Sequence, residues 1–176
     1  MLPEKAEGHL DHLIRQTRMH HMQLSAMADV KANILLTMSS VVLTLSVTNI
    51  ADPVLKWPTL ILISFCLLTI ALATYAVMPK LPVHKHPPDL AEAKGPLFNP
   101  LFFGDFAGMS LQDFEETMGH YMATPQRAYE VQIREVFVLG QFLAKKKYRF
   151  IRMAYISFIT GILASGIGII TSSAFA

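Results

Sequence analysis

ANILLTMSSVVLTLSVTNIA, residues 32–51, is a run of twenty positions without a single charged side chain. Two further runs, 57–78 and 153–176, have the same property. A helix needs about 20 apolar residues to cross roughly 30 Å of hydrocarbon, where its backbone must satisfy its own hydrogen bonds. The three runs therefore predict three transmembrane helices, over 32–51, 57–78 and 153–173.

The overall composition supports a small membrane protein. Charged residues make up 16% of the 176 residues, whereas a typical soluble domain has about 25%. The net charge of +2 is too small to indicate nucleic acid as a partner. The single cysteine, Cys66, excludes an intramolecular disulfide and suits a chain that faces a reducing cytosol. No cleavable signal peptide is visible, so we expect the first span to act as an uncleaved insertion signal.

The basic residues predict the orientation of the chain. Of the fifteen Lys and Arg residues, only Lys56 lies between the first two runs, and the other fourteen fall on the opposite side of the predicted membrane. The positive-inside rule places that side in the cytosol. We therefore expect the N-terminus inside and the C-terminus outside.

Helical patterns also occupy the polar segments. Apolar residues at three- and four-residue spacing predict that 1–31 is a cytosolic amphipathic helix that continues into the first span. Segment 79–152 is predicted to be cytosolic and helical, with Ser110 as an N-cap and Pro125 at the first position of a helix that extends through the third span. The predicted fold class is an all-α membrane protein, with three transmembrane helices whose long cytosolic extensions form a small bundle.

Polar and small residues recur on single faces of two spans. In the first span the polar ones are Asn33, Thr37, Ser40, Thr44 and Thr48. They predict either interhelical hydrogen bonds or a water-exposed face that lines a pore. In the third span two small-residue tracks predict close helix packing, within the chain or between subunits. These tracks are Ser157-Gly161-Ser165 and Ala164-Gly168-Ser172.

The remaining polar residues give little support for catalysis. His9 and His12 share a helix face, but no HExxH pattern is present, and we expect neither a metal site, a cofactor nor a catalytic residue. The basic cluster over 145–152 is expected to fix the topology and to touch anionic headgroups. Its alternative role is to bind a phosphate-bearing ligand. The candidate residues for that role are Arg127, Arg134, Lys147 and Arg149.

Three motifs spread along the chain carry a family resemblance. They are Ala28-Asp29-Val30-Lys31-Ala32, Asn99-Pro100-Leu101-Phe102-Phe103-Gly104-Asp105 and Lys147-Tyr148-Arg149-Phe150. In these motifs and their order the chain resembles the Pycsar transmembrane effectors. The matching positions are Asp29, Lys31, Asn99, Phe103, Gly104, Asp105, Lys147 and Arg149.

The resemblance implies a role in bacterial antiphage immunity. In that family a partner uridylate or cytidylate cyclase makes cyclic UMP or cyclic CMP during infection. The nucleotide activates the effector, which impairs the inner membrane and stops the cell by abortive infection. The resemblance thus implies a multi-pass inner-membrane protein whose partners are the lipid bilayer and the cyclic nucleotide, and we expect a homo-oligomer. In the inner membrane, the orientation predicted from the basic residues places the C-terminus in the periplasm. A β-roll nucleotide-binding domain does not fit into 79–152, so a nucleotide site must be built from helices or between subunits.

Two other classes of function stay open at this stage. One is a small constitutive channel or transporter subunit, although transporters place ionisable groups at mid-membrane and these runs contain none. The other is a membrane-anchored hydrolase that uses the histidines or acidic residues. Leak without any nucleotide would favour the channel, and loss of function on replacing all seven histidines would favour a metal-dependent hydrolase.

Overall fold

The computed structural model of the protein describes residues 8–79, 90–93, 95 and 98–174, and all regular structure within them is helical. The elements in chain order are α1 (Gly8–Val47), a 3₁₀ turn (Thr48–Ala51), α2 (Lys56–Val77), α3 (Leu90–Ala93), α4 (Phe103–Phe106), α5 (Leu111–Met122), α6 (Pro125–Phe142), a π-helical turn (Leu143–Tyr148) and α7 (Arg149–Ala174). Three helical stretches are long and apolar enough to cross a membrane, namely Gly8–Ala51, Lys56–Val77 and Pro125–Ser173. The predicted fold class, an all-α membrane protein with three spanning helices, is confirmed.

The predicted segments map onto these elements as follows. Run 32–51 falls on the last part of α1 and the 3₁₀ turn, run 57–78 on α2 and run 153–173 on α7. Segment 79–152 holds α3 to α6, the π-helical turn and the start of α7. The first seven residues of the predicted helix over 1–31 and part of segment 79–152, namely 80–89, 94 and 96–97, lie outside the described residues.

Prolines end the first two helical stretches. Asp52, which precedes Pro53, adopts an extended backbone, and its carboxylate accepts a hydrogen bond from the Val54 N–H at 2.8 Å. Met78, which precedes Pro79, is also extended, with a ψ of 130°. The ring of a proline disfavours the helical conformation in the residue before it, so both helices stop at these positions.

A capping serine and a proline mark the starts of α5 and α6. Ser110 accepts a hydrogen bond from the Asp113 N–H at 3.1 Å and donates to the Asp113 carboxylate at 2.7 Å. This cap satisfies a backbone donor that the first turn of α5 leaves free. Pro125 is the first residue of α6, where its missing N–H has no cost. Both predicted helix starts are confirmed.

The chain divides into two compact units. Unit 1 comprises Met1–Gln23 and Pro79–Phe142, and unit 2 comprises Leu24–Met78 and Leu143–Ala176. The buried core of unit 2 consists mostly of small residues from α1, α2 and α7. Its members are Ala28, Ala32, Leu35, Cys66, Ala73, Ala76, Ile151, Ala154 and Phe158. Alanines at these positions let the helix backbones approach closely.

Both small-residue tracks of α7 pack against α2 within the chain. A Cβ atom added at Gly161 would lie 2.4 Å from the Cβ of Phe65, and one at Gly168 would lie 3.2 Å from the Cγ of Pro58. The Ser157 hydroxyl donates to the Phe65 carbonyl at 3.3 Å. Close approach of α7 to α2 therefore depends on the absence of a side chain at Gly161.

Replacing Gly161 by alanine should destabilise unit 2. The new methyl group would overlap a Cβ that is fixed to the backbone of α2, and overpacking of this kind costs about 1–3 kcal/mol. Thermal unfolding in detergent should show a lower midpoint. Gly166→Ala is the matched control, since nothing lies within 4 Å of a Cβ at that position of the same helix. Equal midpoints for the two variants would contradict the packing described.

Candidate functional site

The Asn99–Asp105 motif forms a closed turn in unit 1. The Asp105 carboxylate accepts a hydrogen bond from the Asn99 N–H at 2.9 Å, and the buried Asn99 side chain accepts one from the Leu101 N–H at 3.1 Å. Gly104 lies in the single helical turn of α4, and the Phe103 ring is 58% exposed. The two polar motif residues thus fix the backbone of this turn.

Arg134 ties the residues that lead into this turn to α6. One guanidinium nitrogen donates to the Gly95 carbonyl at 3.0 Å and to the Phe98 carbonyl at 2.9 Å. The other nitrogen forms an ion pair with Glu130 at 2.9 Å, and the side chain is only 15% exposed. Arg127 is exposed and makes one long hydrogen bond to the His120 carbonyl at 3.4 Å. Of these two candidate ligand residues, Arg134 has its donors engaged within the protein.

Lys147 lies at the centre of a buried polar cluster in unit 2. Its ammonium is 2.7 Å from Oδ1 of Asp29, and it donates to Oδ2 at 2.8 Å. It also donates to the Ser25 hydroxyl at 2.8 Å and to the Ser25 carbonyl at 3.2 Å. The Lys147 side chain is 9% exposed, whereas that of Asp29 is 44% exposed. Two motif residues that are 118 positions apart are therefore joined by an ion pair.

The π-helical turn allows two consecutive residues to reach α1. Lys147 bonds to Asp29, and the next residue, Tyr148, donates its hydroxyl to the Leu24 carbonyl at 3.0 Å. The Lys31 ammonium lies 5.9 Å from the centroid of the Tyr148 ring, within cation–π range. In an α-helix neighbouring side chains diverge by about 100°, so the wider turn changes which residues face α1.

The four candidate ligand residues are divided between the units. Arg127 and Arg134 belong to unit 1, while Lys147 and Arg149 belong to unit 2. Arg149 is exposed at the first position of α7. Among the described residues, no group of His, Cys, Asp or Glu is arranged to hold a metal ion.

The polar face of α1, defined by Asn33, Thr37, Ser40, Thr44 and Thr48, is exposed along its whole length. The hydroxyls of Thr37, Thr44 and Thr48 donate to carbonyls of α1 at 2.9–3.0 Å. The buried face of the same helix carries the small core residues instead. Within the described part of the chain, the polar face therefore makes no interhelical hydrogen bond.

A cavity of about 580 Å³ lies in unit 1. Its volume falls within the roughly 300–1,000 Å³ that small-molecule sites occupy. The first part of α1, the Asn99–Asp105 turn, α5 and α6 supply its walls. The lining residues are Asp11, Ile14, Arg15, Arg18, Leu101, Met118, Tyr121, Met122, Ala128, Val131, Gln132 and Glu135.

The charged side chains that line the cavity differ in how they are paired. Arg18 forms an ion pair with Glu135 at 3.0 Å, and burial raises the pKa of the Glu135 carboxyl although the Arg18 charge opposes this effect. The Asp11 carboxylate accepts a hydrogen bond from the Tyr129 hydroxyl at 2.7 Å. Arg15 makes no ion pair with any described residue. From the sequence, Arg15 and Arg18 contributed only to the predicted topology. They follow Asp11 by four and seven residues, and these spacings place all three side chains on one face of α1.

The fold and these sites define a small all-α membrane protein with three span-capable helices and a helical unit that contains a ligand-sized cavity. The sequence matches the family described as Pycsar effector protein domain, PycTM, over residues 12–172, and the chain belongs to this family. The resemblance noted from the motifs is thus confirmed. Membership makes the protein a Pycsar antiphage effector, and the family implies a cyclic-nucleotide signal from a cyclase. No curated protein and no solved structure is significantly similar to this chain.

Variants of the Lys147 cluster should differ in stability. Asp29→Ala leaves a buried ammonium without its carboxylate, whereas Lys147→Met leaves a carboxylate that water already reaches. We expect Asp29→Ala to be the more destabilising by about 1–3 kcal/mol, and the double variant to resemble Lys147→Met alone. Denaturant titrations in detergent measure all three. Strictly additive losses would show that the pair is not coupled.

Removing the Arg134 contacts should loosen the Asn99–Asp105 turn. Arg134→Gln cannot reach both carbonyls, and charge-assisted hydrogen bonds contribute about 1.5–3 kcal/mol each. We expect amide hydrogen exchange over Asn99–Phe106 to rise about tenfold or more, measured by mass spectrometry. Arg127→Gln, in the same helix, should leave exchange there unchanged. Similar exchange in both variants would argue against this role of Arg134.

Proposed function

We propose that this protein is the membrane effector of a Pycsar system and that a cyclic pyrimidine nucleotide, cyclic UMP or cyclic CMP, activates it. A partner uridylate or cytidylate cyclase makes the nucleotide during infection. The activated effector impairs the inner membrane and halts the cell by abortive infection. The observation that carries this proposal is the family match over residues 12–172 in a chain with three span-capable helices.

Charge distribution supports an inner-membrane topology with the N-terminus in the cytoplasm and the C-terminus in the periplasm. Lys56, the first residue of α2, is the only basic residue between runs 32–51 and 57–78, on the side proposed to be periplasmic. The arginines of unit 1 and the basic cluster over 145–152 lie on the side proposed to be cytoplasmic, where the cluster contacts anionic headgroups and the nucleotide signal is made. This arrangement exposes unit 1 to the cytosol.

The proposed activation requires that the nucleotide bind one conformation better than another, because only a difference in affinity shifts a population. α1 is a single helix that supplies Gly8–Gln23 to unit 1 and Leu24–Val47 to unit 2. A ligand that acts on its first part acts on the helix that carries the polar face. We propose that α1 transmits the conformational change that the nucleotide causes.

We propose that the damage to the membrane arises from assembly of several copies around the polar face of α1. The face is exposed in the single chain and lies within the predicted first span. A side-chain amide such as that of Asn33 is costly to expose to hydrocarbon, and several copies would shield it or surround it with water. This role keeps the pore-lining interpretation of the five residues.

Proteoliposomes loaded with a fluorescent dye test this function. Cyclic UMP or cyclic CMP should release the dye, and cyclic AMP should not. Release without any nucleotide would indicate a constitutive channel instead. If no cyclic pyrimidine nucleotide causes release from vesicles that hold folded protein, the proposal is wrong.

Substitutions on the polar face should lower dye release without affecting nucleotide binding. Thr37→Val and Thr44→Val keep the side-chain shape and remove the hydroxyl oxygen, so the combined variant should slow release about tenfold or more through loss of water-binding groups. Ser64→Ala is the matched control, since the Ser64 hydroxyl of α2 is also exposed and donates to its own helix at 2.8 Å. Equal release by wild type and the double threonine variant would remove the polar face from the mechanism.

A further inference from the structure

The cavity of unit 1 presents a different chemistry on each helix that lines it. α1 supplies the guanidinium groups of Arg15 and Arg18, and α5 supplies the apolar side chains of Met118 and Met122. α6 supplies the amide of Gln132 and the carboxyl of Glu135. A ligand that uses all three walls has an anionic group, an apolar body and a polar edge.

Arg15 gives the cavity a positive charge that can bind an anion. It lines the cavity, and no carboxylate in the described part of the chain pairs with it. Arg18 is one helical turn away, so the two guanidinium groups can act on the same ligand group. Arginine forks match the oxygens of a phosphate group in pairs, which makes a phosphate the best-suited anion.

The two acidic residues of the cavity do not cancel this attraction. The Asp11 carboxylate is engaged by the Tyr129 hydroxyl, and the Glu135 carboxyl is paired with Arg18. The Glu135 side chain is only 12% exposed, and burial disfavours its charged form. A ligand with a single negative charge can therefore bind Arg15, whose guanidinium is paired with no carboxylate in the described part of the chain.

The side chains that α5 and α6 contribute to the cavity suit a planar ring with a hydrogen-bonding edge. Methionine side chains adapt to flat surfaces and make favourable contacts with aromatic rings. The Gln132 amide offers both a donor and an acceptor, the combination with which amide side chains pair with the edge of a nucleobase. Tyr121 also lines the cavity, and its position is fixed because its ring is buried and its hydroxyl donates to the Ala93 carbonyl at 3.2 Å.

We infer that this cavity is the site at which the activating ligand binds. Arg15 and Arg18 hold the phosphate of a compact mononucleotide, and Gln132 with Glu135 recognises the edge of its base. The identity of the ligand as a cyclic pyrimidine mononucleotide rests on the proposed function. Arg15 and Arg18 of α1 thus take the phosphate-binding role that the sequence had suggested for four other residues, which are Arg127, Arg134, Lys147 and Arg149.

Binding of cyclic UMP and cyclic CMP to the full chain in detergent tests the site. Arg15→Ala should weaken binding of the preferred nucleotide at least tenfold. Its thermal unfolding should match wild type, because Arg15 makes no ion pair with the residues that the structure describes. Arg15→Lys keeps the charge without the fork and should bind with intermediate affinity. Arg127→Ala, an exposed arginine of the same unit outside the cavity, should bind like wild type.

The outcomes separate this inference from the proposed function. Wild-type affinity in both Arg15→Ala and Arg18→Ala, together with nucleotide-dependent dye release, would overturn the site and leave the function standing. Failure of wild type to bind or respond to either nucleotide would overturn both. Displacement of the nucleotide by phosphatidylglycerol, with the same dependence on Arg15, would make a lipid headgroup the ligand and overturn the nucleotide assignment.

Gln132 provides a second measurement. Gln132→Leu preserves the size of the side chain but cannot pair with a base edge, so the ratio of the affinities for cyclic UMP and cyclic CMP should change about tenfold. An unchanged ratio would show that the base is read elsewhere.

Discussion

The hydrocarbon core of a bilayer offers no water to a peptide backbone, and this constraint organises the protein. The backbone must therefore be helical over each charge-free run of about twenty residues. Each Lys or Arg near these runs must be hydrated or fully paired with polar groups. Lys147 satisfies the second condition, since Asp29 and both polar oxygens of Ser25 surround its ammonium. The small residues between α2 and α7 follow from the same constraint, because without a hydrophobic effect helices in lipid associate by close packing.

Residues that make the family recognisable act mainly on conformation. Asn99 and Asp105 close a turn, and Asp29 and Lys147 join α1 to the π-helical turn. The residues inferred to contact the ligand, such as Arg15, belong to none of the three motifs. A motif can therefore identify a family through the groups that hold its shape, while the groups that touch a ligand are found only from the geometry of a cavity.

Local signals in the sequence were sufficient for the spans and for the starts of α5 and α6, since charge-free length, the Ser110 cap and Pro125 act over a few neighbouring residues. Contacts over long separations were not accessible in this way. Nothing local relates Asp29 to Lys147. The helix predicted from Pro125 through the third span is interrupted by the π-helical turn, which no local signal indicated. The cavity escaped prediction for the same reason, because three helices and a turn contribute to it.

The hydrogen bonds of the polar face have a consequence for the charge of whatever solute passes along it. A hydroxyl group has one proton and two lone pairs, and Thr37 and Thr44 give their protons to carbonyl oxygens of α1. Each of these two hydroxyl oxygens therefore presents only lone pairs to its surroundings, and these accept hydrogen bonds or bind cations. At these positions the oxygens can replace part of the hydration shell of sodium or potassium, so an aqueous route past Thr37 and Thr44 would favour monovalent cations there.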